Sequence, residues 1–331
     1  MKQFLSCDWG TSSFRLRLVN RIDAEILGEY TSADGVQVIN KAYLKEAPSV
    51  ERSTYYFQFL NQGIKAFSQQ LHLDLEGLLV ICSGMASSTI GLKALPYARL
   101  PFDIDGKTMN THFFEPSASL GHPFLLLSGI RAEMDVMRGE ETQLLGVIRQ
   151  MENFNGKGTF IFPGTHSKHL LVSHQKIQDF QTFMTGEVFH LMSHSSILSK
   201  SVGIPDKKST GMEKAFEHGV GEGAENNLLA ALFKVRANDL FEKLDKFENL
   251  HYLSGLLIGN ELSNLAGNME SKVYLCSEEK LYWSYSKALE VMGIPSEVLT
   301  PEKVRKAVIY GQIEIINRIE KHEKDIFLGG F

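Results

Sequence analysis

Two short glycine–hydroxyl turns, about 150 residues apart, constrain this 331-residue chain more than any other feature. The first, Asp8-Trp9-Gly10-Thr11-Ser12-Ser13, lies between strand-like runs at 3–7 and 14–19. The second, Phe162-Pro163-Gly164-Thr165-His166-Ser167, lies between runs at 158–161 and 168–172. Each is followed by a polar turn and a third strand-like run. A glycine and a hydroxyl residue between paired strands let backbone N–H groups approach a phosphate closely. One such turn is weak; one at the head of each half implies a two-lobed nucleotide clamp.

The intervening pattern reads as α/β in both halves. Residues 1–31 predict a three-stranded meander, and Tyr56, Phe59, Leu60, Ile64, Phe67 and Leu71 recur at helical spacing over 53–71. Runs at 77–82 and 124–128, apolar on both faces, predict parallel strands covered by helices. A further helix starts near Gly139. The loop 153–158 separates the halves, after which the meander pattern restarts, with helices near 186–199, 211–234, 251–266 and 279–292 and a strand at 273–276. Pro301 opens a closing helix over 301–322. The expectation is a duplicated α/β domain, 1–150 and 151–331.

Composition excludes several classes. A net charge of -5 with no long basic run gives nucleic acid no electrostatic footprint. Three scattered cysteines, Cys7, Cys82 and Cys276, form neither a disulfide framework nor a zinc motif. No apolar run approaches the ~20 residues that span a bilayer, and the first strand begins within a few residues, so the expected location is cytoplasmic. Gly219-Val220-Gly221-Glu222-Gly223 follows a helical pattern and not a strand, which removes a dinucleotide reading. His190 and His194 lack the interposed acid of a zinc protease.

Beyond the turns, the chain carries Met137-Arg138-Gly139-Glu140-Glu141-Thr142-Gln143-Leu144, Met184-Thr185-Gly186-Glu187 and Leu253-Ser254-Gly255-Leu256-Leu257-Ile258-Gly259. Together with the turns, in this order, these segments resemble the bacterial 2-dehydro-3-deoxygalactonokinases of the actin-like ATPase and sugar kinase superfamily. The resemblance covers nearly the whole chain. It implies two ribonuclease-H-like domains with a nucleotide cleft between them, and ATP, Mg²⁺ and a sugar acid as the bound species. The closing helix, with Ala307 and Gly311 one turn apart, resembles that superfamily's hinge connector.

The resemblance also implies roles. Asp8 faces the Mg²⁺–phosphate cluster; Gly10, Thr11 and Ser12 form the first phosphate cradle; Gly164, Thr165 and His166 form the second. Only the first turn carries an acid, which suits transfer to a bound hydroxyl better than hydrolysis. Glu140 is the expected base for the substrate hydroxyl, with Glu141 its rival, although acids in a first helical turn also simply complement the helix dipole. The loop 84–93 resembles the family's substrate loop and nominates Gly84, Met85, Ser88 and Lys93. Lys93 and Arg138 are the candidate partners of the sugar-acid carboxylate. Lys168 either leans on a phosphate or points to solvent. Ser277 falls where nucleotide contacts are expected, but in Cys276-Ser277-Glu278-Glu279 and not in a glycine-rich turn.

The implied activity is phosphorylation of 2-dehydro-3-deoxy-D-galactonate at its 6-hydroxyl. A kinase for another sugar or sugar acid, and a nucleotide-dependent sensor on the same fold, are the alternatives, and a homodimer is left open.

Overall fold

The computed structural model describes residues 2–203, 211–265 and 271–328, with side chains to 321. Its first elements are β1 (Gln3–Trp9), β2 (Phe14–Asn20), β3 (Glu25–Ser32), α1 (Val36–Glu46), α2 (Arg52–Leu71), β4 (Val80–Gly84), β5 (Ala98–Arg99) and β6 (Phe102–Asp103). There follow β7 (Thr111–Phe114), β8 (Phe124–Leu127), β9 (Ile130–Arg131), β10 (Val136–Met137), α3 (Glu140–Arg149), β11 (Gly158–Phe162), β12 (Ser167–Ser173) and β13 (Lys176–Phe183). The remainder is α4 (Thr185–Ser195), α5 (Met212–Glu225), α6 (Leu228–Leu240), α7 (Lys246–Leu262), β14 (Val273–Leu275), α8 (Glu279–Val291), β15 (Ser296–Val298) and α9 (Pro301–Leu328). No helix among the described residues is long and apolar enough to cross a membrane.

Packing divides the chain into two compact units. The described parts of 1–155, 175–178 and 303–331 form the first, and those of 156–174 and 179–302 the second. Against the expected division at 150, the closing helix packs almost wholly with the first unit. The reason is a backbone-to-backbone crossing of α3 and α9. A Cβ on Gly146 would lie 1.7 Å from the Ala307 carbonyl oxygen, and one on Gly311 would lie 2.0 Å from that of Thr142. Only glycines allow so close a crossing. Residues 175–178 join the first unit because Lys176 and Ile177, which open β13, pair with β6.

In the first unit the main sheet runs β3-β2-β1-β4-β8-β7. The meander β1–β2–β3 is antiparallel, whereas β1, β4 and β8 are parallel neighbours. Parallel pairing puts register partners on the same face, so Asp8 and Ser83 share one side of the sheet and Cys7 and Cys82 the other. The Cys7 side is covered by α2, whose Tyr56, Phe57, Leu60, Ile64 and Phe67 are buried with Trp9 and Phe14. α1 was not anticipated from sequence; its buried Val36, Ile39 and Tyr43 recur at i, i+3, i+7.

The second unit repeats the scheme in the order β15-β14-β11-β12-β13, with β11–β12 antiparallel and β11, β14 and β15 parallel. Its glycine run lies inside α5, as expected. Gly219 and Gly223 let α7 approach until their absent Cβ atoms would meet the Tyr252 and Leu256 carbonyls at 2.3 and 2.1 Å. Two helix boundaries differ from expectation. The helix predicted over 211–234 is broken at 226–227, because the Asn227 side chain accepts the Leu229 and Ala230 N–H groups and restarts the chain as α6. The helix predicted from 251 begins at Lys246, where Asp245 and Glu248 form a capping box.

Candidate active site

In the first unit Asp8, Gly84 and the start of α3 come together at the carboxyl ends of β1 and β4, the end of an open α/β sheet where ligands bind. The turn after β1 is anchored twice. Trp9 is fully buried, packs edge-on against Phe14 at 4.9 Å and donates its indole N–H to the Asp34 carbonyl at 3.2 Å. The Gly10 and Thr11 carbonyls accept the first N–H groups of α1, from Val36 at 3.0 Å and Gln37 at 3.1 Å. Thr11 and Ser12 remain exposed.

Two glycines bring the other elements to Asp8. Gly84, with φ +92°, ends β4 at a point where a Cβ would meet the Trp9 carbonyl oxygen at 2.8 Å and Asp8 Oδ1 at 3.6 Å. Gly139, with φ +112°, caps α3, and its absent Cβ would lie 3.7 Å from Gly84 Cα. The first turn of α3 is thereby delivered to the end of β4, beside Asp8. On the same face, Gln312 of α9 donates to the Cys7 carbonyl at 3.2 Å and the Ser83 hydroxyl at 3.1 Å. The sequence carried no signal for Gln312, because its partners are some 230–300 residues away.

Glu140 and Glu141 are treated very differently. Glu141 is fully buried; both its oxygens accept the Gly139 N–H, at 2.9 and 2.8 Å, and Oε1 also accepts the Thr142 hydroxyl. Burial and the neighbouring Glu140 charge push its carboxyl up to about 7. Glu140 is only half-buried.

Arg138 is held by neutral groups. It donates to the Ser87 hydroxyl at 2.7 Å, to the Tyr97 hydroxyl at 3.1 Å and to the Leu95 carbonyl at 3.5 Å, and its guanidinium carbon lies 4.0 Å from the Tyr97 ring centroid. A small sheet, β10-β9-β5, creates this arrangement. Ala98 and Met137 both align with Ile130, so Tyr97 before β5 and Arg138 after β10 leave the sheet at the same end. Among the described residues no carboxylate pairs with this guanidinium. Of the other loop candidates, Met85 is half-buried in a 3-10 turn, and Ser88 is buried with its hydroxyl making no hydrogen bond among the described residues. Lys93 is instead turned to the edge strand, with Nζ 3.1 Å from His112 Nε2 and over the Phe114 ring.

The second unit builds its turn in the same way. Gly186, at the start of α4, has no room for a Cβ, which would lie 2.5 Å from the Gly164 carbonyl oxygen; Gly35 stands likewise 2.3 Å from that of Thr11. The Glu187 N–H donates to the Thr165 carbonyl at 3.0 Å, and Glu187 Oε2 lies 2.5 Å from His166 Nε2. The turn therefore rests on the amino end of a helix, where backbone donors and the dipole favour an anion. Beneath it is a carboxylate that sequence reading missed. Glu261 of α7 is buried, accepting from the Ser167 hydroxyl at 2.6 Å, His169 at 2.9 Å, the Tyr285 hydroxyl at 2.7 Å and the Thr185 hydroxyl. Four donors from three elements thus converge on one side chain.

Two further nominated residues are buried. Lys168 is buried on β12, with Nζ 3.4 Å from the His166 carbonyl, so it does not point to solvent. Ser277 is buried, and its hydroxyl donates to the Glu278 carbonyl at 3.0 Å at the entry to α8.

Comparison with known proteins places the chain in a family. The family model described as 2-keto-3-deoxy-galactonokinase matches residues 8–313. A Rhizobium meliloti protein described as "Probable 2-dehydro-3-deoxygalactonokinase DgoK1" is 32% identical over 317 residues, covering 92% of this chain and 94% of its own. The Escherichia coli 2-dehydro-3-deoxygalactonokinase is 31% identical over 221 residues, covering 65% of this chain and 71% of its own. A Sinorhizobium meliloti crystal structure, provisionally described under the same activity, superposes with a TM-score of 0.77 at 29% identity. It covers 96% of this chain and 99% of its own. With a match running from the first acid to the closing helix, and the same two-unit sugar-kinase fold, the chain belongs to the 2-keto-3-deoxy-galactonokinase family of carbohydrate kinases.

Proposed function

We propose that the chain transfers the γ-phosphoryl group of ATP to the 6-hydroxyl of 2-dehydro-3-deoxy-D-galactonate, the sugar acid after which its relatives are named. The observation that carries this reading is Arg138. Its guanidinium is oriented by a tyrosine face and a serine hydroxyl, next in sequence to the glycine that caps α3. A planar fork of donors suits a carboxylate, the group that separates a sugar acid from a neutral sugar. The buried Ser88 hydroxyl, without a hydrogen bond among the described residues, suits a sugar hydroxyl.

Glu140 is the base in this reading. Its carboxylate takes the proton of the 6-hydroxyl as that oxygen bonds to phosphorus and the bond to the ADP oxygen breaks. Glu141 holds the helix start. Gly164 and Thr165, with the amino end of α4, receive nucleotide phosphates, and Thr11 and Ser12 offer exposed donors in the first unit.

The residues present also fit Mg²⁺, which takes one or two carboxylates together with phosphate oxygens and water. Asp8 supplies the carboxylate, and Gly84 and Gly139 keep side chains out of the space beside it. Gln312 Oε1, buried beside Ser83 and making no hydrogen bond among the described residues, is an acceptor for a metal-bound water. When bound, the ion neutralises charge on the phosphates.

The test is ADP release from Mg·ATP across a panel of 2-keto-3-deoxy sugar acids, with hexoses as controls. The galactonate derivative should give the highest kcat/KM. Turnover with hexoses alone would overturn the sugar-acid reading, and equal rates with both C4 epimers would leave a kinase without the stereochemical assignment.

A further inference from the structure

Beyond its amino end, α4 carries two exposed histidines, His190 and His194, at i and i+4, where side chains meet on a helix surface. Their ring centroids are 4.3 Å apart and the ring planes differ by 31°. A backbone contact fixes the tautomer of His194. Its Nδ1 lies 3.0 Å from the His190 carbonyl, which can only accept, so Nδ1 carries the proton. The Ser193 hydroxyl donates to the Phe189 carbonyl at 2.7 Å and so turns a lone pair to the same Nδ1, at 2.9 Å. Nε2 of His194 is thereby left as a lone pair on the far side of the ring. That is how histidine presents itself to a metal, one ring nitrogen bound to a carbonyl and the other free to ligate. The His190 ring makes no hydrogen bond among the described residues, so it is free to turn towards the same ion.

We propose that His190 and His194 together chelate a divalent transition metal on the exposed side of α4. A ring nitrogen about 2.0–2.1 Å from a metal puts its ring centroid about 3.2 Å from it. Two such rings at a right angle around one ion have centroids about 4.5 Å apart, and at the tetrahedral angle about 5.1 Å. The observed 4.3 Å fits the right angle. Imidazole nitrogens in tetragonal geometry select Cu²⁺ and Ni²⁺ over Zn²⁺. Among the described residues no group of three or more His, Cys, Asp or Glu could hold a metal, so water completes the shell. Mg²⁺ takes oxygen ligands and is not bound here, which keeps this site distinct from the Asp8 carboxylate. A clip from 190 to 194 closes one turn of the helix that starts at Thr185, so the bound ion stabilises the folded chain. The helical pair His218 and Glu222, also at i and i+4, offers no equivalent, because Lys234 holds Glu222.

Calorimetric titration of the untagged full-length protein with NiCl₂ tests the proposal, in a non-coordinating buffer with excess Mg²⁺ to fill carboxylate sites. The native cysteines are all buried and do not compete. The wild type should take up one Ni²⁺ per chain. His190→Gln and His194→Gln should each raise the Kd at least about ten-fold, the least that losing even an outer partner of a metal ligand costs. His218→Gln should leave it unchanged. Ni²⁺ should raise the Tm of the wild type and not that of the His190 and His194 variants, whose cooperative metal-free melting shows that they are folded. Zn²⁺ should bind more weakly than Ni²⁺. An absence of saturable Ni²⁺ binding below about 1 mM, or binding that both variants retain, would overturn the proposal. Zn²⁺ binding tighter than Ni²⁺ would overturn the metal class.

Discussion

Glu141 turns back on its own helix, so that both carboxylate oxygens accept the Gly139 N–H. That contact separates two adjacent acids which are equivalent by composition. Glu140→Gln should lower kcat by about 10²–10⁴-fold, the usual worth of a positioned base, while nucleotide affinity stays within about two-fold. Glu141→Gln retains an acceptor for Gly139 and should keep most of the activity. Steady-state kinetics with a nucleotide titration decides; the reverse ranking would transfer the base to Glu141.

The same residue predicts a pH effect on stability. Its carboxyl is raised from 4.5 to about 7 in the folded chain, chiefly by burial and then by Glu140. The folded state therefore holds the proton more tightly than the unfolded state. Its contribution is fully present below about pH 4.5 and is lost as pH rises through about 7. The loss is on the order of 3 kcal/mol at one kcal/mol and a fraction per unit. Urea unfolding at pH 5 and pH 8 should show wild type losing stability relative to Glu141→Gln across that window, and parallel curves would refute the shift.

Arg138→Lys keeps the charge but loses the fork and the stacking on Tyr97. KM for the sugar acid should rise by about 10–100-fold, the range of a charge-assisted hydrogen bond, with KM for ATP unchanged. Equal effects on both substrates would indicate a structural role.

Glu261→Ala would leave the Ser167, His169, Thr185 and Tyr285 donors without their common acceptor, at about 1–3 kcal/mol for each one left unsatisfied. Glu261→Gln keeps part of the set. In that milder variant KM for ATP should rise about ten-fold, a loss comparable to one hydrogen bond, while KM for the sugar acid holds. The opposite split would remove Glu261 from the support of the Gly164 turn.

Much of the fold was legible because it rests on local pattern. The meanders after residues 1 and 158, the helix from 53 to 71 and the helix start at Gly139 all follow from periodicity and turn chemistry. α1 escaped because its start merges with a turn and the exposed Val38 and Leu44 blur the buried stripe of Val36, Ile39 and Tyr43. The break at Asn227 escaped because apolar residues continue on both sides of it, and only the side-chain cap marks the restart.

The linear chain by itself determined the duplicated α/β scheme, the two glycine turns and the placing of acids at Asp8, Glu140 and Glu141. Those are properties of neighbours in sequence, set by backbone freedom at glycine and by the alternation of apolar residues. Tertiary structure alone decided which glutamate is turned inward and which cation keeps a fixed guanidinium. It also decided that Gln312 reaches the end of β1 and that Glu261 gathers four donors. Such choices depend on which distant backbones can touch, and the α3–α9 crossing at Gly146 and Gly311 exists only once both helices are packed.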